Sequence, residues 1–223
     1  MTLVVAFRRK VRNGHELVFG SDSRLTGGQT NDQAQKIFQL PRNDALFAFA
    51  GDTQYAYPLL MQLLRSIESL PPSAEGRMKL SKAKGHILRV FQQSYSSIHS
   101  LPFGQKYPEE PAARKYAIIE TNRLLRRRGK VTAEINYEPL EVLGKIISDR
   151  NFPSIGGAPQ VGKVYQYLQT QLFQVKWRHD SSSKEVCHII GRPLLPTENC
   201  SWPIFDPDRG FYVPGRSYKE EAE

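Results

Sequence analysis

Two kinds of apolar pattern divide the chain. "TLVVAF" (2–7) and "LVFGSDS" (17–23) are apolar, β-branched runs on either side of Asn13-Gly14, a dipeptide that suits the positive φ angles of a tight hairpin turn. "QKIFQL" (35–40) and "ALFAFAG" (45–51) flank "PRND" (41–44) in the same way and predict a second hairpin. The period then changes. Tyr55, Leu59, Leu60, Leu63, Leu64 and Ile67 recur at helical spacing behind Asp52 or Thr53 as N-cap. Pro58 is tolerated only near a first turn, so this helix is expected to begin a residue or two late. "LPPSAEG" (70–76) breaks it. A second amphipathic helix is expected over 79–99, burying Leu80, Ile87, Leu88, Phe91, Tyr95 and Ile98. "LPFGQKYPEEP" (101–111) reads as a Pro-rich loop.

Strands are expected again at "KYAIIE" (115–120) and "KVTAEINYE" (130–138), whereas "LEVLGKII" (140–147) fits strand or helix. "NFPSIGGAPQVGKVYQYL" (151–168) reads as a glycine turn with Pro159 near the start of a short helix. "LFQVKW" and "EVCHIIGRPL" predict a closing hairpin around "RHDSSSK" (178–184). The order of strands, helices, strands, short helix and strands points to α+β layers, not to alternating βαβ units. One domain is expected over 1–195, with an irregular tail over 196–223 that is rich in Pro, Asp and Gly and ends "KEEAE".

Composition narrows the function classes. The 223 residues are 39% hydrophobic and 24% charged, as in a soluble globular protein with a polar surface. No apolar run reaches the roughly 20 residues that span a bilayer. In "MTLVVAFRRK" the charges follow the apolar run, opposite to a signal peptide. Cys187 and Cys200 have no zinc spacing and are read as two free thiols, with a disulfide as the alternative. A cytoplasmic location follows. The net charge of +9 comes largely from "RRK" (8–10) and "NRLLRRRGK" (122–130), both read as strand or turn ends. Aromatic residues are not interleaved with them, so no platform for stacking single strands is present. Nucleic acid is therefore not expected as a partner. The five histidines are scattered, and no Walker loop, nucleophile elbow or His-Glu-x-x-His occurs.

Chemistry gathers at the beginning of the chain. Removal of Met1 leaves Thr2 with a hydroxyl beside a free α-amine, whose ordinary pKa of about 7.7–8.0 lets it accept that hydroxyl's proton near neutral pH. Such a site needs a cation, an anion to fix it, and an oxyanion donor. Lys36 opens the "KIFQL" strand, and Asp22 ends the second strand where it can hold the ammonium. The N–H of Gly51 lies at a strand-to-helix junction, where the helix dipole helps.

With these residues in place, "TLVVAF … GSDSRLTGG … KIFQL … FAFAGDTQYAYPLL" resembles the N-terminal half of proteasome β-type subunits and the bacterial HslV-type peptidase, which are N-terminal-nucleophile (Ntn) hydrolases. The likeness covers about the first 70 residues. It implies a four-layer αββα sandwich of two antiparallel sheets between helix layers. It implies a threonine-type hydrolase cleaving peptide or amide bonds through an acyl ester on Thr2, without metal or organic cofactor. Residue by residue, it places Thr2 on the nucleophile, Asp22 on the acid, Lys36 on the lysine and Gly51 on the oxyanion donor. Arg24 and Thr26 fall beside the substrate-binding strand. Leu25, Ala34, Phe49 and Thr53 fall around a first specificity pocket for medium-sized apolar side chains. Ser154, ahead of Gly156-Gly157, takes the place of a supporting serine. The implied partners are a peptide or protein substrate and further copies in a homo-oligomer, with any unfoldase partner left open. Asp52 stands where the family has a second Gly, and the family's Gly-rich strand after the second helix is not recognisable in "KYAIIETNRLLRRRG". The downstream Asp and Ser that steady the terminal amine in the family have no clear counterpart either, and it is these missing partners that motivate the alternative of a non-catalytic proteasome-like assembly subunit.

Overall fold

The computed structural model describes residues 3–12, 14–26, 29–42, 44–50, 53–69, 79–96, 111–149, 151–165, 169–178, 184–207 and 210–212. It mixes helices with sheets that pair almost wholly antiparallel. β1 (Val4–Val11) and β2 (Gly14–Ser21) form the first expected hairpin, in register from Val4 opposite Ser21 to Val11 opposite Gly14. β3 (Ile37–Gln39) and β4 (Leu46–Ala48) form the second, as a separate two-stranded sheet. Both hairpins close over turn residues, and local sequence suffices to specify them.

α1 (Thr53–Glu68) carries the expected apolar stripe but runs straight through Pro58, so the late start expected from that proline is not observed. α2 (Leu80–Ser96) turns Ile87 and Phe91 inward, whereas Leu88 is exposed, contrary to expectation. Ile98 and the loop at 101–110 lie outside the described residues.

The expected strands at 115–120 and 130–138 are not strands. α3 spans Pro111–Arg127, a short 3₁₀ turn follows at Thr132–Glu134, and α4 spans Glu138–Ser148. The run "YAII" is apolar and continuous, but burial follows Ala113, Tyr116, Ala117, Leu124 and Leu125, at helical spacing, and leaves Ile118 and Ile119 exposed. The "RRR" stretch is a helix end, where cations favour the dipole. Gly129 at φ +65° stops the helix, with Gly129 N–H donating to Arg126 and Lys130 N–H to Leu125. The ambiguous "LEVLGKII" is helical, burying Leu140, Val142, Leu143 and Ile146.

Two further corrections concern the second half. Pro159 precedes no helix: β5 (Gln160–Val164) begins at the next residue and pairs with β2. A proline just ahead of a strand withholds no ladder donor. The tail expected to be irregular contributes β9 (Ile204–Asp206) and β10 (Gly210–Tyr212), and Phe205 and Phe211 join the main core. The closing hairpin is found as expected, as β6 (Thr170–Trp177) and β7 (Val186–Ile189), followed by the short β8 (Arg192–Pro193). The large sheet runs β1-β2-β5-β6-β7-β8, with β9 parallel to β6 and β10 antiparallel to β9.

The two faces of this sheet do different work. Phe7, Val18, Val161, Phe173 and Val175 form one core with Leu140, Leu143 and Ile146 of α4. The opposite face meets the small sheet. A Cβ on Gly162 would lie 2.8 Å from Leu46 Cδ1 of β4, so the two sheets approach closely here and any larger residue would push the Leu46 side chain aside. A second core joins Phe38, Leu40 and Phe49 to Leu60, Leu63 and Ile67 of α1 and to Ile87 and Phe91 of α2. No described helix is long and apolar enough to cross a membrane.

Candidate functional site

Asp22 follows the last residue of β2, and Lys36 precedes the first residue of β3, so each sits where a strand lets go of its ladder. Both side chains are fully buried. Lys36 Nζ donates to Asp22 Oδ1 at 3.1 Å and Oδ2 at 3.0 Å, and also to the carbonyl of Arg24. Asp22 accepts three backbone N–H groups as well: Leu3 at 3.0 Å, Arg24 at 3.1 Å and Gly156 at 3.3 Å. The carboxylate thus ties together the beginning of the chain, the end of the first hairpin and a turn 134 residues away.

Burial dominates the electrostatics. It pushes the Asp22 carboxyl up, against the charge and hydrogen bond of Lys36 and the Leu3 and Gly156 amides. It pushes the Lys36 ammonium down, against the Asp22 charge. A lysine moved in that direction gives up its proton more readily, and a carboxyl moved up holds one more readily. The pair is therefore costly to keep charged, a property shared by many groups that handle protons.

The segment leading from Asp22 to Lys36 is clamped from outside. Arg24 grips Asp32 through two parallel bonds, Nε to Oδ1 at 2.6 Å and Nη2 to Oδ2 at 2.8 Å, and gives its third to the Pro153 carbonyl at 2.9 Å. Ser23 Oγ donates to the Asp32 carbonyl at 2.6 Å. Gly157 has φ +74°, and a Cβ there would lie 2.2 Å from Ser23 Oγ and 2.3 Å from the Asp32 carbonyl oxygen, so both conformation and space demand glycine. Ser154 is half-buried on this same turn. Gln160, at the start of β5, sends its side-chain amide across to residues 34–37.

Asp22, Lys36, Arg24 and the Ser154–Gly157 turn are therefore neighbours in space. Ala34 is buried, donating its N–H to the Ser23 carbonyl. Phe49 is buried in the second core with its ring centroid 5.3 Å from that of Tyr57. Leu25 is half-buried and bridges to Asn31, and Thr26 is exposed. Thr2, Gly51 and the side chain of Thr53 lie outside the described residues. Among the described residues no group of three or more His, Cys, Asp or Glu could hold a metal ion.

Sequence reading missed Asp32, Gly156 and Gln160 as parts of this site. Asp32 carries a signal in retrospect, as the only carboxylate between Asp22 and Lys36 and eight residues from an arginine. Gly156 and Gln160 act on residues more than 120 positions away and leave no local trace. In comparisons with known proteins, no family model, no curated protein and no solved structure matches this chain.

Proposed function

We propose that the chain is an N-terminal-nucleophile hydrolase of proteasome-like, four-layer αββα architecture. The layering is inferred from the two separate cores, one on the α4 side of the large sheet and one on the α1 side of the small sheet, and from the close approach of Gly162 to Leu46 between the sheets. The observation that carries the functional reading is the sealed pair Lys36–Asp22, with Asp22 also holding the N–H of Leu3, the residue that follows Thr2.

In this reading Met1 is removed and Thr2 Oγ attacks a peptide or amide carbonyl while the α-amine accepts the hydroxyl proton. The Gly51 N–H stabilises the tetrahedral oxyanion, helped by the N-terminal end of α1. Collapse expels the amine, which takes the proton from the α-ammonium and leaves an ester on Thr2. Water, deprotonated by the same α-amine, then cleaves the ester and regenerates Thr2. Lys36 and Asp22 set the local potential in which the α-amine stays unprotonated. The test is cleavage of a mixed panel of peptide, amide and ester substrates. Thr2→Ala is expected to abolish every cleavage seen with wild type, and equal activity of the two would refute the reading.

A second reading is favoured by the exposed Ile118 and Ile119 on α3, an apolar spot among arginines and lysines. There the fold serves as a non-catalytic assembly subunit. Retained Met1, or a processed Thr2 inert to threonine-directed electrophiles, together with self-association on sizing, would favour it.

A further inference from the structure

Seven of the eight backbone polar groups from Ala34 to Ile37 have a partner, and three of them share one side chain. Ala34 N–H goes to the Ser23 carbonyl, and the Lys36 carbonyl accepts from Phe49 N–H. The Gln35 carbonyl accepts from Tyr57 Oη at 2.7 Å, and the Ile37 carbonyl from Gln35 Nε2 at 2.9 Å. Gln160 takes the remaining inner edge. Its Oε1 accepts Lys36 N–H at 2.9 Å and Ile37 N–H at 3.2 Å, while its Nε2 donates to the Ala34 carbonyl.

A side-chain amide that accepts two N–H groups and feeds one carbonyl does what a neighbouring strand would do. The backbone of Gln160 meanwhile pairs opposite Ser21, the residue before Asp22. One residue therefore fixes the Asp22 end of β2 through its main chain and the Lys36 end of β3 through its side chain. It is buried, with Nε2 3.0 Å from where a Cβ on Gly191 would stand. An unpaired buried amide is costly, so these bonds hold the register firmly.

We propose that Gln160 is the positioning residue of this site, a surrogate strand that sets where Lys36 stands relative to Asp22. It touches no reacting atom. The consequence for catalysis rests on the hydrolase reading above, but the positioning does not.

The experiment uses the full chain with carbon-13 at lysine Cε, the Lys36 signal being assigned by its loss in Lys36→Arg. The groups facing Lys36 are Asp22, Asp32 and Arg24, and all are retained. Gln160→Met keeps length and apolar bulk but removes all three bonds. Its Lys36 is expected to titrate about one pH unit higher than in wild type, because a released ammonium regains water. Labelling of Thr2 by a peptide β-lactone is expected to slow at least tenfold. Leu63→Ala, a truncation in the second core, lowers stability without touching the site and is expected to move neither readout. If Gln160→Met does not fold, Gln160→Asn, which keeps a neutral amide but ends one methylene short of Ala34, Lys36 and Ile37, replaces it with a smaller shift expected. Unchanged Lys36 titration, or equal shifts in Leu63→Ala, overturns the proposal. Absence of labelling in wild type instead counts against the hydrolase reading and leaves the titration to decide Gln160.

Discussion

Asp22 and Glu138 are both buried carboxylates held by a lysine at the end of an element, and their surroundings push them in opposite directions. Glu138 opens α4 and accepts Lys130 Nζ at 2.8 Å, Arg128 Nη1 at 3.3 Å and the Asn136 N–H at 2.7 Å. Burial pushes it up, but these partners outweigh burial and hold it down to about 2. At Asp22 burial wins. The number of donors does not explain the contrast, since Asp22 has at least as many. The depth of the carboxyl does. Asp22 and its lysine are both sealed at 0%, so burial costs Asp22 most, whereas Glu138 lies just beneath Lys130 and Arg128, which are 33% and 40% exposed. A carboxylate close to solvent keeps its charge cheaply. One buried as deeply as Asp22 keeps it at a cost that moving the lysine's proton onto the carboxylate would relieve. The first arrangement suits a structural anchor and the second suits proton handling.

Breaking the dry pair has the largest expected effect. Lys36→Met leaves a buried carboxylate without its cation and is expected to cost about 3–5 kcal/mol in urea unfolding. The double variant Asp22→Asn/Lys36→Met is expected to recover most of that loss, because neither charge is then stranded. A double variant no more stable than the single one would mean that the pair does not behave as a sealed unit.

Glu138→Gln is expected to cost less, about 1–3 kcal/mol at neutral pH. The pH dependence sharpens the contrast. Glu138 has its folded value below the ordinary 4.5, so its stabilisation is present above that value and is lost as pH falls toward about 2. The gap between wild type and Glu138→Gln should therefore close on acidification. Asp22 has the opposite sign: its folded value is raised above 3.8, so its contribution fades as pH rises through that window. Urea midpoints of Asp22→Asn and of Glu138→Gln, each against wild type across pH 2–6, separate these trends, and parallel curves would contradict them.

Much of the dry site was legible from the sequence, and much of the wet one was not. Asp22 and Lys36 flank short hairpins whose turns are written locally in Asn13-Gly14 and "PRND", so their positions follow from the residues beside them. Glu138 lies where strand was expected, because "KVTAEINYE" lacks the spaced apolar stripe that marks α1, and the 3₁₀ turn there is set by packing against β1. The tail strands β9 and β10 are three residues each, too short for any period to register, and depend on Phe205 and Phe211 finding the main core. Arg9 also departs from a merely solvated basic run. It is paired with Glu16 at 2.6 Å and lies 4.5 Å over the Tyr137 ring.

Smaller effects are expected further from the pair. Arg24 and Asp32 are partly exposed, so Arg24→Met should cost no more than about 1 kcal/mol. It should nevertheless raise amide hydrogen exchange at Ser23, whose N–H donates to the Gly156 carbonyl, and at Gly156, whose N–H donates to Asp22. Arg65→Gln removes an exposed pair with Glu68 and should change stability by less than about 0.5 kcal/mol. A larger loss at Arg65 than at Arg24 would reverse the ranking by burial on which the comparison stands.

The central claim is that a dry lysine–carboxylate pair serves a nucleophile at the start of the chain. Intact-mass analysis of the purified protein, before and after incubation with a peptide β-lactone, tests it most directly. The account predicts a wild-type mass lacking Met1, a single adduct that maps to Thr2, and no adduct in Lys36→Met. A chain that keeps Met1, or one whose Thr2 is labelled equally with and without Lys36, would contradict it.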